Sequence, residues 1–366
     1  MTAPRTVVSI VGARPQFVKA AAVSPALRGA GLSEVLLHTG QHYDWTMSAA
    51  FFEGLSLPAP DVNLQIGSAS HGAQTGRMLE AVEGVLRETR PSMVVLFGDT
   101  NSTLAGALAA AKLLIPVAHV EAGLRSFNRA MPEEINRVLT DHVSALLFAP
   151  TDAAVANLRA EGIMDGVVRT GDVMLDVVQH HRPAIEAKAA ALCRDLGLAE
   201  RGFAFATVHR AENTDDACRW DGIVGAIRAI GGQMPVIWAA HPRTREKVRG
   251  LDLPGVVIVD PQPYLHTQAL VSAARLVLTD SGGLQKEAAF HRTPCVTLRD
   301  QTEWVELVDA GVNVLAGAVR ERIVSAAESA AWPEQGLPPD LYGDGQAARQ
   351  IAAAVATRVR SESERR

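Results

Sequence analysis

The chain has 366 residues, of which 48% are hydrophobic and 20% are charged, and its formal net charge at pH 7 is −5. This length predicts two domains, the composition is typical of a soluble α/β enzyme, and the absence of a long basic run or a long apolar run argues against nucleic acid or membranes as partners. The three cysteines, Cys193, Cys218 and Cys295, are too scattered for a zinc site or a disulfide framework. No apolar run is long enough for the core of a signal peptide. We therefore expect a cytoplasmic protein.

The first predicted strand covers residues 6–11 and ends at Gly12, and GARPQFVKAAAVSPALRGAG then predicts a tight turn into a helix. A glycine before a helix N-terminus is a natural anion site, because the first N–H groups of a helix lack partners within it. Arg14 and Lys19 would reinforce that site with positive charge. The spacing matches neither GxGxxG nor a P-loop, so neither a nicotinamide cofactor nor ATP hydrolysis is indicated.

A strand at residues 34–39 and a helix carrying residues 77–87 lead to the segment 92–137. There the apolar run 93–97 predicts a buried parallel strand, followed by a helix to Leu114 that Asn101 or Ser102 caps. Residues 116–120 predict the next strand.

Acidic residues follow both of these strands. Asp99 stands just beyond the first strand and Glu121 just beyond the second. Because reactive groups collect at the carboxyl ends of parallel strands, we expect both in one crevice, to which the loop 123–132 returns Glu133. The alternative is that these acids cap helices and form surface ion pairs, and we favour it only for Glu134. Three arginines accompany the acids: Arg125, Arg129 and Arg137.

The remainder of the first half contains a helix to Val143, a strand in ALLFAPT and a helix starting at Thr151, and it closes near Gly171. Residues 180–201 predict a charged, Ala-rich helix that joins two domains, with His180 and His181 in solvent. The β/α alternation then begins again, which implies two doubly wound domains. The second half has predicted strands at 203–208, 236–240, 256–259, 276–279 and 295–298.

Polar residues also follow the strands of the second half. His209 follows its first strand and His241 its second. TDSGGLQKEAAF then predicts a phosphate-binding loop between a strand and a helix, with Glu287 placed to accept hydrogen bonds from ribose hydroxyls. Taken alone, His209 is better explained as a hydrogen-bonded histidine at a domain boundary, and Trp238 and Trp304 as packing residues. The glycine loop consists of Ser281, Gly282 and Gly283.

Eight segments closely resemble, in order along essentially the whole chain, the motifs of the non-hydrolysing UDP-N-acetylglucosamine 2-epimerases: GARPQFVK, GDT, HVEAGLRS, MPEEINR, TVHRAEN, DSGGLQKEA, TEWVELV and YGDGQA. The resemblance implies a GT-B type α/β fold, two Rossmann-like doubly wound domains with a UDP-sugar in the interdomain cleft. It implies no cofactor, and no zinc-type ligand spacing suggests a metal. A homodimer is also expected. The implied domains are residues 1–175 and 176–344, followed by a helix 345–366 that crosses back to the first domain and ends in a disordered tail, RSESERR.

The resemblance also assigns roles by residue. The catalytic carboxylates of the family match Asp99, Glu121 and Glu133, and its essential histidine matches His209. The substrate-binding residues are Arg14, Lys19, Arg137, Ser281, Gly282, Gly283 and Glu287, to which we add His241 for its place after a strand.

The implied reaction is an isomerisation of UDP-GlcNAc and UDP-ManNAc through elimination of UDP and its re-addition to 2-acetamidoglucal. The C2–H bond is poorly acidic without an adjacent carbonyl, so proton loss must be coupled to departure of UDP. Inversion then requires acid/base groups on both faces of the sugar, and cations and helix N-termini must hold the diphosphate as its charge develops.

Departures from the family pattern leave alternatives open. The first departure is Gln16, where many members have Glu. The second is Asp44, which follows Gln41 and His42 at a position where regulated bacterial members have a second Gln or an acid. Those members bind a second UDP-GlcNAc there as an activator, so the sequence leaves this regulation open. SFNRAMPEEINR and TLRDQTEWVEL resemble the branch that includes 2-epimerases of UDP-2,3-diacetamido-glucuronate, an alternative substrate. A hydrolysing epimerase and a GT-B glycosyltransferase are further alternatives, the latter disfavoured because a transferase usually needs only one base.

Overall fold

The computed structural model describes residues 5–41, 54–55, 57–240 and 242–363. The chain divides into two units, Met1–Gln179 with Pro339–Arg366 and His180–Pro338. The helix Val173–Leu196 passes from the first unit into the second, and it includes most of the joining helix that the sequence predicts. Among the helices described, none combines the length and the apolar character that crossing a membrane requires.

A parallel sheet of seven strands forms the centre of the first unit, in the order β3-β2-β1-β4-β5-β6-β7. The order reverses between β1 and β4, and in a doubly wound fold ligands bind at the carboxyl ends of the strands at such a reversal. The strands are β1 Thr6–Val11, β2 Ser33–His38, β3 Val62–Asn63, β4 Met93–Phe97, β5 Val117–Val120, β6 Leu146–Ala149 and β7 Val167–Arg169.

Helices cover the first sheet, which explains why β4 is buried along its entire length and reads as a continuous apolar run. The helices of this unit are Arg14–Gly29, His71–Thr89, Asn101–Lys112, Pro132–Val143, Asp152–Ala160, the first part of Val173–Leu196, and Ala347–Ser363.

The C-terminal helix Ala347–Ser363 belongs to the core of the first unit. Its Ile351 and Val355 lie in one buried cluster with Phe17 and Leu27 of the first helix. The helix includes residues 360–363, so this part of the predicted disordered tail is helical, whereas residues 364–366 lie outside the described residues.

The second unit repeats the plan with six parallel strands in the order β10-β9-β8-β11-β12-β13, which reverses between β8 and β11. The strands are β8 Ala204–Thr207, β9 Val236–Ala239, β10 Val256–Val259, β11 Leu276–Thr279, β12 Cys295–Thr297 and β13 Asn313–Leu315. The helices are Ala211–Thr214, Ala217–Gly231, Pro242–Val248, Tyr264–Ala273, Gly282–Phe290, Val305–Asp309 and Arg320–Ser329.

The predicted cap of the helix Asn101–Lys112 is wrong by one residue. Thr100 has extended backbone angles and precedes the helix, and its N–H donates to Thr103 Oγ1 at 3.1 Å. Asn101 lies inside the first turn, where its amide donates to Gln74 Oε1 at 2.8 Å. The helix therefore begins earlier than predicted, and Asn101 and Ser102 use their side chains for tertiary contacts with Gln74 and Gln41.

Candidate active site

Two of the acids that the sequence predicts for catalysis, Asp99 and Glu121, lie where β4 and β5 end. Phe97 and Val120 are register partners, so Gly98 and Glu121 follow them side by side. Lys19, from the helix after β1, forms an ion pair with the Glu121 carboxylate, and both side chains are more than nine-tenths buried. A Cβ atom on Gly98 would lie 3.1 Å from Lys19 Nζ, so the glycine lets the chain pass close to this pair.

The backbone of Glu121 is left-handed, with φ of 73°. Its N–H and that of Ala122 both donate to the carbonyl oxygen of Phe148, at 3.1 and 3.0 Å. Non-glycine residues in such a conformation cost about 1–3 kcal/mol and persist only where the surroundings hold them. The carboxylate of Glu121 is therefore placed by a strained turn that neighbouring groups maintain.

Asp99 is held by the helix Pro132–Val143. Arg137 Nη2 donates to Asp99 Oδ2 at 2.6 Å, and the side-chain amide of Asn136 donates to the Asp99 carbonyl oxygen at 2.9 Å. The Arg137 side chain is only 3% exposed, whereas that of Asp99 is 29% exposed. Asp99 thus combines a fixed position with access from solvent.

Glu133 differs from the other two acids. It is half-buried in the first turn of the same helix, one turn before Arg137 and therefore on the same face. Its carboxylate makes no hydrogen bond or ion pair with any residue that the structure describes. A carboxylate that is positioned by its helix and has no partner among the described residues is suited to exchange a proton with a substrate.

Glu134 has a structural role, but its ion pair is buried and not at the surface, where the sequence predicts it. It is 3% exposed, and its carboxylate accepts hydrogen bonds from Ser126 N and Phe127 N, both at 2.9 Å. Arg137 Nη1 donates to it at 3.1 Å. Glu134 therefore fixes the loop before the helix and links that loop to Asp99 through Arg137.

The other two arginines of the predicted cluster do not contact these acids. Arg125 is buried and pairs with Asp141 and Glu161. Arg129 is exposed and makes no hydrogen bond or ion pair within the described residues. Of the three, Arg137 alone bonds to one of the predicted catalytic acids there.

The anion site predicted after β1 is not formed in the expected way. The N–H groups of Gly12 and Ala13 donate to Gln16 Oε1, at 2.8 and 2.9 Å, so the side chain occupies them. Gln16 Nε2 in turn donates to the Phe97 carbonyl oxygen at 2.8 Å and to Thr103 Oγ1 at 3.0 Å. An amide suits residue 16 because the side chain both accepts and donates here. Arg14 is half-buried at the start of this helix.

In the second unit, His209 and Asp280 meet at the ends of β8 and β11, across the reversal of strand order. His209 Nδ1 lies 3.0 Å from Asp280 Oδ1, and the His209 backbone N–H also donates to this carboxylate. Arg210 N and Asn213 Nδ2 donate to Asp280 Oδ2 at 3.0 and 3.1 Å. Asp280 is fully buried whereas the His209 side chain is 39% exposed, so a buried acid orients an accessible imidazole.

The pKa of Asp280 lies at about 2, well below its ordinary value. Burial alone would raise this pKa, but the charge and hydrogen bond of His209 and the donors of Arg210 and Asn213 outweigh it. Asp280 is therefore ionised at neutral pH and fixes a proton on His209 Nδ1. The sequence analysis missed Asp280, although the strand order β8-β11 would have brought it to His209.

The glycine loop after β11 opens the helix Gly282–Phe290. Ser281 is the N-cap, and its hydroxyl accepts from Leu284 N at 3.5 Å. The N–H groups of Gly282 and Gly283 have no acceptor in the described part of the chain, as the first N–H groups of a helix generally do not. A Cβ atom on Gly282 would overlap the Glu303 carboxylate, which is paired with the buried Arg299.

Glu287 lies in the same helix and is 6% exposed. The adjacent Lys286 is fully buried with its Nζ 3.9 Å from the centroid of the Trp304 ring. Trp304 and Trp238 are both buried, which agrees with the packing role predicted for them. His180 is exposed, and His181 is half-buried rather than in solvent, with its pKa lowered by burial and by the adjacent His180.

Some predicted residues lie outside the described ones, namely His241, His42 and Asp44. In the part of the chain that is described, no group of His, Cys, Asp and Glu side chains is arranged to hold a metal ion. The three cysteines are free thiols.

Comparison with known proteins matches residues 26–356 to the family model of UDP-N-acetylglucosamine 2-epimerases. The chain belongs to this family. The UDP-2,3-diacetamido-2,3-dideoxy-D-glucuronate 2-epimerase of Pseudomonas aeruginosa is 50% identical over 357 residues, which cover 96% of this chain and 99% of that protein.

Solved structures of the family share the fold. The crystal structure of Methanocaldococcus jannaschii UDP-GlcNAc 2-epimerase in complex with UDP-GlcNAc and UDP matches with a TM-score of 0.89 and 40% identity, covering 96% of this chain and 99% of that one. The Neisseria meningitidis UDP-GlcNAc 2-epimerase bound to UDP-GlcNAc matches with a TM-score of 0.87 and 28% identity, covering 96% and 100%. The predicted GT-B type α/β fold, with two doubly wound units, is confirmed.

Proposed function

We propose that the protein is a non-hydrolysing 2-epimerase of a UDP-2-acetamido sugar. The observation that carries this proposal is the set of three acids in the first unit, each held differently. Glu121 is paired with Lys19, Asp99 with Arg137, and Glu133 has no partner among the described residues. A reaction that removes a proton from one face of C2 and returns one to the other needs more than one acid/base group.

The proposed chemistry begins with removal of the C2 proton as the C1–O bond to UDP breaks. The C2 electron pair forms the C1–C2 double bond, and UDP leaves with the bonding electrons of C1–O. The glucal then accepts a proton at C2 on the opposite face, and UDP returns to C1. No redox step or external reactant is required, so acid/base groups are sufficient for this chemistry.

The second unit has the groups to stabilise the leaving UDP. The N–H groups of Gly282 and Gly283 at a helix N-terminus are suited to phosphate oxygens. His209, which Asp280 keeps protonated at Nδ1, adds a donor or a positive charge where the diphosphate develops charge. Glu287 is proposed to accept hydrogen bonds from the ribose hydroxyls.

For the sugar, we propose UDP-2,3-diacetamido-2,3-dideoxy-glucuronate as the preferred substrate and UDP-GlcNAc as the second candidate. The support is that the P. aeruginosa 2-epimerase of the former sugar is 50% identical over nearly its whole length. The M. jannaschii enzyme, crystallised with UDP-GlcNAc, is 40% identical.

The test is a comparison of kcat/KM for the two UDP-sugars, with epimers separated chromatographically and free UDP measured in parallel. We expect the diacetamido-glucuronate to be turned over at least tenfold more efficiently, with UDP remaining attached to the product. Efficient turnover of UDP-GlcNAc alone would reverse the substrate preference. Release of the free 2-epimer sugar would indicate a hydrolysing enzyme, and transfer of the sugar to an added acceptor would indicate a glycosyltransferase.

A further inference from the structure

A buried charged network lies directly behind the strand ends that carry Asp99 and Glu121. His119 lies in β5, two residues before Glu121, and both His119 and the Asp141 carboxylate are fully buried. His119 Nε2 lies 2.7 Å from the Gly98 carbonyl oxygen, and Nδ1 lies 2.7 Å from Asp141 Oδ1. One imidazole thus joins the end of β4 to the helix that carries Arg137.

Asp141 holds the chain on both sides of Glu121. Its Oδ1 faces His119, before the acid, and its Oδ2 accepts hydrogen bonds from Gly123 N at 3.1 Å and Arg125 Nη1 at 2.7 Å, after the acid. Between these anchors lies the left-handed turn at Glu121. A single carboxylate therefore maintains a backbone conformation that the residue itself disfavours.

The partners of His119 hold both of its ring nitrogens. The Gly98 carbonyl oxygen can only accept, so it receives a hydrogen bond from Nε2. The Asp141 carboxylate faces Nδ1, and it also accepts from Gly123 and Arg125. Burial alone would raise the pKa of Asp141, but the hydrogen bonds and charges of His119 and Arg125 lower it. The ring therefore connects the Gly98 carbonyl to Asp141.

Arg125 links Asp141 to a second acid. It forms two parallel bonds with Glu161, Nε to Oε1 at 2.6 Å and Nη2 to Oε2 at 2.8 Å, and its Nη1 donates to Asp141. Removal of Asp141 would leave the buried Arg125 without one of its two carboxylate partners.

We propose that Asp141 and His119 are positioning residues that keep the Glu121 and Asp99 carboxylates aligned for proton transfer at the sugar. This inference rests on the proposed function. The mechanism is geometric: His119 fixes the Gly98 carbonyl immediately before Asp99, and Asp141 fixes both sides of the Glu121 turn. A misplacement of about 1 Å in a reacting group can cost roughly 100-fold in rate, so the loss of this support should appear in turnover.

The variant Asp141→Asn tests the proposal, because it replaces one accepting oxygen by an NH2 group that must face His119 N–H, Gly123 N–H or Arg125. We expect kcat to fall by about 30- to 100-fold, with KM changed less than threefold and the Kd for UDP unchanged. The matched control is Asp152→Asn, which removes an exposed carboxylate that pairs with Arg169. It should leave kcat within twofold of the wild type.

Two results would overturn the inference. If wild-type protein epimerises its substrate and Asp141→Asn has wild-type kcat per folded molecule, the network is structural only. If Asp141→Asn does not fold, His119→Gln decides. A fall in kcat with KM changed less than threefold supports the inference, and wild-type kcat per folded molecule contradicts it. A wild type without epimerase activity would instead refute the proposed function, and with it this role.

Discussion

The two units of the molecule share one sheet plan but carry different chemistry at the same place. In both, the strand order reverses beside the first strand, and polar residues collect at the strand ends on either side. The first unit presents Glu121 beside Lys19 and Asp99 beside Arg137. The second presents a His209–Asp280 pair and a helix N-terminus with N–H groups that lack acceptors among the described residues.

The difference indicates a division of labour. Carboxylates with distinct partners suit proton transfer at carbon, whereas a buried acid that orients a histidine, next to a glycine loop, suits an anion that leaves and returns. Substitutions in the first unit should therefore change turnover but leave the affinity for UDP unchanged. In the second unit, loss of the histidine support should slow turnover, and loss of the nucleotide contact should weaken UDP affinity.

The largest effect is expected for the acids of the first unit. Glu121→Gln and Glu133→Gln, and likewise Asp99→Asn, should each lower kcat by roughly 100-fold or more, since each removes a proton-transfer group. UDP affinity by calorimetry should change little. Glu83→Gln, on an exposed helix surface, is the control and should retain full activity. Near wild-type turnover in Glu133→Gln would return that residue to a structural role.

A smaller loss is expected from Asp280→Asn. Without the carboxylate, the imidazole of His209 loses the partner that orients it, so we expect kcat to fall by about 10- to 100-fold. His209→Ala should lose at least as much. If His209→Ala melts at a lower temperature but retains full turnover per folded molecule, His209 is a packing histidine and the proposed role of the pair is wrong.

Binding of the nucleotide should depend on Glu287. Glu287→Ala should weaken UDP binding by about 1–3 kcal/mol, the range for hydrogen bonds to charged groups. Calorimetry with UDP measures this directly, and Glu328→Ala, at an exposed helix position, serves as the control. Unchanged affinity in Glu287→Ala would remove the residue from the ribose site.

The smallest effect concerns stability and arises away from both sets of strand ends. Asp176 accepts hydrogen bonds from Ala347 N and Ala348 N at the start of the C-terminal helix, at 3.2 and 2.8 Å. Burial is the main cause that raises the pKa of Asp176 to about 6, with Asp172 and Asp344 adding to it. A carboxyl group with a raised pKa contributes stability that is present below its ordinary pKa and is lost as the pH rises through about 6.

Asp176→Asn should remove this pH dependence. Relative to the variant, the wild type should lose about 1–2 kcal/mol of unfolding free energy between pH 4 and pH 7, a value reduced for the partial exposure of the group. Urea unfolding of both proteins across this range provides the measurement. Parallel curves for wild type and variant would show that Asp176 does not titrate there.

The sequence predicted the fold and the placement of Asp99 and Glu121 at strand ends for the same physical reason. Buried parallel strands appear as apolar runs, and the residues that follow such runs lie at one edge of the sheet, as Asp99 and Glu121 do. The strands β3, β7 and β13, with two or three residues each, were missed, whereas the equally short β12 was predicted.

Side-chain partners across the sheet were not predictable in this way. Gln16 was seen only as a departure from a family pattern, yet it caps the turn after β1 and reaches the end of β4. Asp280 and Asp141 were missed because their partners come from strands and helices far away in sequence. Which strand lies beside which is fixed by tertiary packing, and these contacts appear only once that order is known.

The most direct test of the account is a proton NMR time course of the UDP-2-acetamido sugar with purified protein in deuterated water. Elimination and re-addition require that C2 lose its proton and take a new one on the opposite face. We expect both epimers to appear at equilibrium with deuterium at C2 of the epimerised product, and neither change in Glu121→Gln on the same timescale. Epimerisation that leaves the original proton on C2 would contradict the mechanism.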